Sequence, residues 1–269
     1  MEKNKSWVKG FLVILWLLGG PVGAGFLAGE TDKQEREVME KYLKKARVVQ
    51  IIKGAAGGRT APWIVKLSDG RLKQQAIFKF INRPRPTMLP DSYRYEVAAY
   101  RLSKLLGLGF VPAMVERTIE GRPGSLQLMI TGTMTEDYRA NQGLEPPDKQ
   151  AFEQALAEIL IFENLVYDQC LDGTDILIQK TSWRVWRIDF SEAFTPVEEL
   201  LPDCPIRRCS RSLYDSLKKL DEASVKSALG SYLSQAELAA LLKRKQLVVK
   251  KIEELIAEQG EEAIIFLKK

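Results

Sequence analysis

The sequence predicts an α+β protein in two lobes, with antiparallel strands first and mainly helices after. Three observations predict it. Residues 47–81 hold three strand-like runs separated by turn signals, and residues from 212 onward carry apolar side chains at helical spacing. Between these halves, residues 131–147 form a polar connection containing Pro and Gly, where the lobe boundary is expected. The expected division is a leader segment over 1–24, a first lobe over 25–133 and a second lobe over 134–269.

The leader reads from its charges. Lys3, Lys5 and Lys9 precede an uncharged stretch over 10–29, whose strongly apolar part is only 11–18. Gly19, Gly20 and Pro21 break a helix there, and Val22, Gly23 and Ala24 offer small residues for cleavage. A basic start, a short apolar run and a small-residue site make a secretory signal peptide. A retained membrane anchor is the alternative, because about 20 uncharged residues can just span a bilayer. Either way the rest of the chain is exported, periplasmic or anchored to the membrane. A buried hydrophobic arm of a cytosolic protein fits the three preceding lysines less well.

The 269 residues carry 40 Lys and Arg against 35 Asp and Glu, a net charge of +5 with the signs interspersed, so no nucleic-acid partner is expected. The chain has no histidine, which excludes Ser-His-Asp and Cys-His nucleophiles and removes the commonest metal ligand. Three cysteines, Cys170, Cys204 and Cys209, lack zinc spacing. Export permits a disulfide, with Cys204 and Cys209 the expected pair unless both remain free thiols.

In chain order, Thr31-Asp32-Lys33-Gln34 predicts the start of a helix running to about Lys45. A strand over 47–53 enters a glycine-rich turn that contains Gly54, Gly57 and Gly58. Such glycines let backbone N–H groups approach an anion, or simply make a flexible hairpin. A returning strand over 61–67, a turn at Asp69-Gly70 and a third strand over 71–81 complete an antiparallel meander. Lys79 lies between Phe78 and Phe80 and shares a strand face with Ile77 and Ile81. A lysine there needs an anionic partner, or an edge position from which it reaches water.

Asp91 is the expected N-cap of a helix that contains Glu96 and ends at Gly107. Strands over 110–119 and 125–130 follow, and after the polar connection a helix spans 148–166. Next comes a short hairpin, Ile176–Gln179 and 183–188, bracketed by acids: Asp168, Asp172 and Asp175 before it and Asp189 after. Carboxylates at the mouths of both strands can hold a divalent cation with hard oxygen ligands, while Asp is also a common turn residue. An irregular loop over 198–211 leads to helices over 212–220 and 222–232, and a last helix opens at a Ser234…Glu237 capping box.

The order is now glycine turn, strand lysine, helix glutamate, two strands, linker, helix, acidic loop, hairpin, aspartate and helices. This order, over 47–242, resembles the kinase fold, and more closely its atypical branch of phosphoinositide kinases, HipA kinases and secretory-pathway casein kinases. The segments DSYRYEVAAYRLSKLLGL, VPAMVER, ENLVYD and WRIDFSEAF also resemble an exported bacterial family of that branch.

The resemblance implies a two-lobed kinase-like fold that takes ATP or another nucleotide together with Mg²⁺. Gly54, Gly57 and Gly58 would cover the phosphates, and Lys79, paired with Glu96, would bind them. The segment 127–130 would meet the adenine. Asp189 and Asp175 would hold the metal, with Asp175 where Asn is usual. The pattern departs at the base: five residues before Asp175 stands Cys170, and a thiol does not replace a carboxylate that orients a hydroxyl. Asp168 and Asp172, each two residues away, are the other candidates. The implied function is transfer of a phosphoryl group to the hydroxyl of an unspecified small molecule or protein, through a degenerate catalytic loop. The alternative is a pseudokinase serving as a binding or scaffold module of the cell envelope. Export also separates the chain from the cytoplasmic ATP pool, which favours that module or another phosphoryl donor.

Overall fold

In a computed structural model of the chain, the structure describes residues 24–54, 61–88 and 90–268. The expected leader up to residue 23, and Gly57 and Gly58 of the glycine turn, lie outside these described residues, while Ala24 already opens the first helix. Among the described residues no helix is long and apolar enough to cross a membrane.

The first element, α1 (Ala24–Lys45), already includes the Thr31 capping pattern within it. No proline interrupts 24–30, so the helix extends back past that signal instead of starting there. The strands β1 (Arg47–Ile52), β2 (Trp63–Ser68) and β3 (Lys73–Lys79) form the expected antiparallel meander. Its second turn is local chemistry: Asp69 Oδ1 accepts from the amides of Arg71 and Leu72 at 2.9 and 2.7 Å, and Gly70 takes φ 94°. A small ribbon of β4 (Asn82–Arg83) and β5 (Asp91–Ser92) precedes α2 (Tyr93–Leu105). Ser92, not Asp91, caps that helix, its hydroxyl accepting from the Arg94 amide at 3.1 Å while Asp91 is held in the ribbon.

The hairpin of β6 (Met114–Ile119) and β7 (Arg122–Leu128) completes a five-stranded sheet in the order β1-β2-β3-β7-β6. The polar connection over 131–147 carries β8 (Thr133–Thr135) and α3 (Glu136–Asn141). Helix α4 (Lys149–Val166), capped by Asp148, then delivers the acidic loop. The hairpin after it, β9 (Ile176–Gln179) and β10 (Val185–Arg187), recruits β8 into a second sheet, ordered β10-β9-β8.

The remainder is helical: β11 (Cys209–Ser210), α5 (Arg211–Lys219), α6 (Glu222–Leu229), α7 (Gln235–Gln259), α8 (Glu261–Ile264) and β12 (Ile265–Phe266). The Ser234–Glu237 capping box opens α7 as the sequence predicts. The loop before α5 is less irregular than expected, because β12 returns to lie parallel to β11.

Among the described residues, two apolar clusters hold the chain together. One lies between α1 and one face of the five-stranded sheet, and includes Leu43, Val65, Ala76, Phe78 and Leu126. The larger joins α2 to the helices of the second half through residues such as Tyr95, Leu102, Phe162, Phe194 and Leu241. Helix α2 therefore shares its core with the second half of the chain. This arrangement fixes the position of Glu96, which α2 carries, relative to the acidic loop.

Candidate functional site

Period-two alternation sets the site up. Phe78 and its paired partners Trp63 and Leu126 face the α1 core, so Lys79, one residue on, faces the opposite side. On that side the Lys79 ammonium meets two acids. It makes an ion pair with Glu96 of α2, whose side chain is 2% exposed, and its Nζ lies 2.8 Å from Asp189 Oδ1. Burial pulls the lysine toward neutrality, but the Glu96 and Asp189 carboxylates outweigh it and hold the ammonium above its ordinary range. Burial acts on Asp189 in the other direction, yet Lys79 and the Ser191 hydroxyl, which donates at 3.0 Å, bring its pKa down to about 2. Asp189 has φ 61°, the left-handed turn that ends the second hairpin strand and swings its carboxylate back toward Lys79.

The acidic loop is built around a residue that the sequence argument missed. Arg187 is fully buried on β10 and has three carboxylates around its guanidinium. Its Nε donates to Glu163 Oε1 at 2.8 Å, its Nη2 to Asp168 Oδ2 at 2.8 Å, and its Nη1 lies 3.5 Å from Asp175 Oδ2. Glu163 also accepts from the Leu171 amide at 2.7 Å, so the arginine and the loop share one buried anchor. The available signal was strand alternation: in Trp-Arg-Ile-Asp-Phe, Arg187 falls on the same face as the buried Val185, where an arginine needs acidic partners.

Each acid of the loop has a distinct environment. Asp172 Oδ1 accepts from the amide and hydroxyl of Thr174 at 2.8 and 2.7 Å, the turn role its residue type favours. Asp168, 6% exposed, is held by Arg187, and burial raises its pKa against that arginine. Asp175 is driven up to about 7 by burial and by the charges of Asp189, Asp172 and Asp168, with Arg187 opposing. Glu163 is likewise raised to about 7 by burial against Arg187.

Cys170 has no thiol to offer, because its sulfur is bonded to Cys204. The expected Cys204–Cys209 pair is thereby corrected. Asn164, buried in α4, donates to the Cys204 carbonyl at 3.0 Å and accepts from the Leu201 amide at 3.1 Å. That clamp brings Cys204 to the end of α4, where the Cys170 loop leaves, while Cys209 is fixed in β11 beside β12. Cys209 remains a free buried thiol, pushed up to about 12 by burial and then by Glu158. Glu163 lies near both sulfurs of the disulfide, but bonded sulfurs do not serve as thiolate metal ligands.

The structure thus brings Lys79, Glu96 and Asp189 together, gathers Asp168 and Asp175 on Arg187, leaves Asp172 in a local turn and ties Cys170 into a disulfide. Gly54 adopts φ 71° where β1 ends, the left-handed conformation that glycine takes without strain. The donor set of Asp175 and Asp189 is all hard oxygen, suited to Mg²⁺ or Mn²⁺. Burial above all, and then the charges of Asp189, Asp172 and Asp168, raise the Asp175 pKa against Arg187, and a cation would offset both effects. The residues present therefore fit a divalent metal.

No protein-family model and no curated protein matches the sequence. Solved structures do resemble the fold. A hydra Fam20 structure with sugar aligns at a TM-score of 0.62 and 16% identity, over 87% of this chain and 93% of that one. A Golgi casein kinase aligns at 0.61 and 11% identity, over 86% and 78%. The Helicobacter pylori proinflammatory kinase CtkA aligns at 0.50 and 11% identity, over 79% and 96%. The chain has an atypical kinase-like fold, in two lobes of α+β architecture.

Proposed function

We propose that the chain is a metal-dependent phosphotransferase of the kinase type that moves a nucleotide phosphoryl group to a hydroxyl. One observation carries this reading: Lys79 bridges Glu96 of α2 and Asp189 of the acidic hairpin, joining the two halves of the chain at one charged point. A bound nucleotide–Mg²⁺ complex would supply the phosphoryl group and the charge neutralisation that its transfer needs. Lys79 binds and orients the phosphates, and Glu96 holds Lys79 in place. Asp189 and Asp175 hold the metal. Asp168 takes the acceptor hydroxyl's proton in place of Cys170, since its raised pKa suits a base and Arg187 fixes its carboxylate. The loop is thus displaced from the usual kinase spacing, with the disulfide at Cys170 holding the displaced course.

The same disulfide supports an exported chain working in an oxidising compartment, because such bonds are rare where thiols are kept reduced. The leader would bring it there, either cleaved or retained as an anchor.

A second reading, the scaffold or pseudokinase module, is favoured by Arg187. Its guanidinium already neutralises Asp168 and Asp175, the work a cation would otherwise do. Thermal unfolding with Mg²⁺ or Mn²⁺ and ATP separates the readings from an inert fold. Specific binding at a thousandfold excess over Kd stabilises by about 4 kcal/mol. Asp189→Asn removes that shift, whereas Asp168→Asn keeps binding and abolishes phosphoryl transfer. A wild-type chain that binds nucleotide yet transfers nothing to water or to offered hydroxyls supports the module. The absence of any nucleotide shift sinks the phosphotransferase.

A further inference from the structure

The disulfide of the acidic loop has a carboxyl beside it, a pairing that neither the metal ligands nor the phosphate-binding lysine use. A carboxylate oxygen of Glu163 and the sulfurs of Cys170 and Cys204 all lie within 4.8 Å of one another. Glu163 is fully buried on α4, where it also accepts from Arg187 Nε and from the Leu171 amide. The two cysteines differ in access. Cys170 is half-buried in the loop, whereas Cys204 is 2% exposed. Exchange begins when a thiolate reaches one sulfur of a disulfide and expels the other, so access directs attack to Cys170 Sγ and makes Cys204 Sγ the leaving group.

A sulfur that leaves inside the protein needs a proton, because burial disfavours the thiolate. Glu163 is placed to give one. Burial holds its carboxyl up at about 7 against Arg187, so part of the population carries a proton at neutral pH. The other charged groups gathered here are Arg187, which donates to Glu163, and Asp168 on the same guanidinium. The freed Cys204 thiol also has an acceptor in place, the Leu160 carbonyl 4.0 Å from its sulfur. Cys209 takes no part, being buried in β11 beside β12.

We propose that Cys170, Cys204 and Glu163 form a thiol–disulfide exchange site that takes a dithiol reductant and thereby controls the acidic loop. One thiolate of the dithiol attacks Cys170 Sγ, the bond between the two cysteines breaks, and Cys204 Sγ leaves with the proton of Glu163. The second thiolate attacks the mixed disulfide and expels Cys170 Sγ, which takes a proton from solvent, as Glu163 then does. The chain gains two electrons, and the dithiol ends as its own disulfide. Asp168 lies two residues before Cys170, and Leu171, whose amide Glu163 holds, lies one after it. Opening the bond therefore releases that stretch from the segment at Cys204. The exchange goes beyond the phosphotransferase reading and needs no nucleotide.

Dithiothreitol added to the full chain, without denaturant or nucleotide, tests it. Freed thiols are trapped by alkylation and counted by mass. Those of Cys170 and Cys204 appear at a rate proportional to the dithiothreitol concentration, while Cys209 stays unlabelled. Labelled mercaptoethanol, a monothiol, leaves its adduct on Cys170. Glu163→Gln slows the opening by roughly a hundredfold, as expected for a lost general acid. Hydrogen exchange in the reduced chain rises over 168–172 and stays unchanged in the middle of α7. A rate independent of dithiothreitol overturns the proposal, since opening then waits on unfolding. An adduct on Cys204 overturns it as well, and so do equal rates in the wild type and a folded Glu163→Gln chain. The rate and the adduct are read on the wild type, so a variant that fails to fold does not shield it. Unchanged exchange over 168–172 overturns the control of the loop. The absence of nucleotide binding sinks the phosphotransferase reading and leaves every one of these readouts standing.

Discussion

Lys79 is the residue on which both charge balance and proposed chemistry converge. Removing its ammonium leaves Glu96, 2% exposed, as a buried carboxylate without its cation. Breaking such a pair from one side costs about 3 kcal/mol or more. Lys79→Met should therefore lower stability by about that much in denaturant unfolding, with Glu96→Gln restoring part of it in the double variant. If the two losses simply add, the pair is not coupled and the site geometry is wrong. Cys209 makes the opposite kind of point. It is buried, and its pKa of about 12 leaves no thiolate at neutral pH, so it should not react. Thiol titration should count none in the native chain, one after unfolding without reductant and three after unfolding with it. One reactive thiol in the native state would contradict the buried placement of Cys209.

At the level of elements, the acidic loop is held less by its own turns than by what crosses it. The Cys170–Cys204 bond closes a separation of 34 residues and ties the loop to the segment after the hairpin. Chain-entropy arguments put the contribution of such a closure at about 3–4 kcal/mol. A Cys170→Ser/Cys204→Ser variant should lose about that much in denaturant unfolding, and an unchanged midpoint would mean that the Asn164 clamp alone fixes the segment. Helix α7 has a simpler dependence. Its Ser234 hydroxyl accepts from the Glu237 amide at 3.3 Å, and Glu237 also receives the Tyr95 hydroxyl at 2.5 Å. Ser234→Ala should cost about 1 kcal/mol, read as a shifted midpoint with an unchanged denaturant slope. The hairpins, the capping box of α7 and the glycine turn at Gly70 were legible in the sequence because each is decided within four or five residues. The α1 start and the α2 cap were misread because neighbouring residues offered equally good local signals.

Across the whole molecule, the two halves are joined by side chains that reach over the cleft. Arg85, between β4 and β5, donates to the carbonyls of Ala193 and Glu192 at 2.7 and 2.5 Å and to the Thr195 hydroxyl at 2.7 Å. The Ser92 amide adds a bond to Ser191 O at 2.9 Å. These contacts hold the segment after Asp189 against the ribbon that leads into α2, and so keep Asp189 near Glu96. Arg85→Ala should raise hydrogen exchange over 190–195 while leaving the middle of α7 unchanged. Protection lost equally in both places would mean that the substitution unfolds the domain instead of releasing the segment.

The sequence alone determined which residues alternate across strands, where most helices stop, and that a lysine, a glutamate and several aspartates occur in the order of a kinase cleft. Sterics and short-range hydrogen bonds write those features into neighbouring positions. The tertiary structure decided the rest: that Cys170, not Cys209, bonds Cys204, that Arg187 gathers Glu163, Asp168 and Asp175, and that β7 lies beside β3, so that Gln127 shares a face with Lys79. These pairings join residues far apart in the chain, Ala76 of β3 lying opposite Leu128 of β7. Many alternative closures of such loops have similar local energies, and only burial of both cores in one arrangement selects among them.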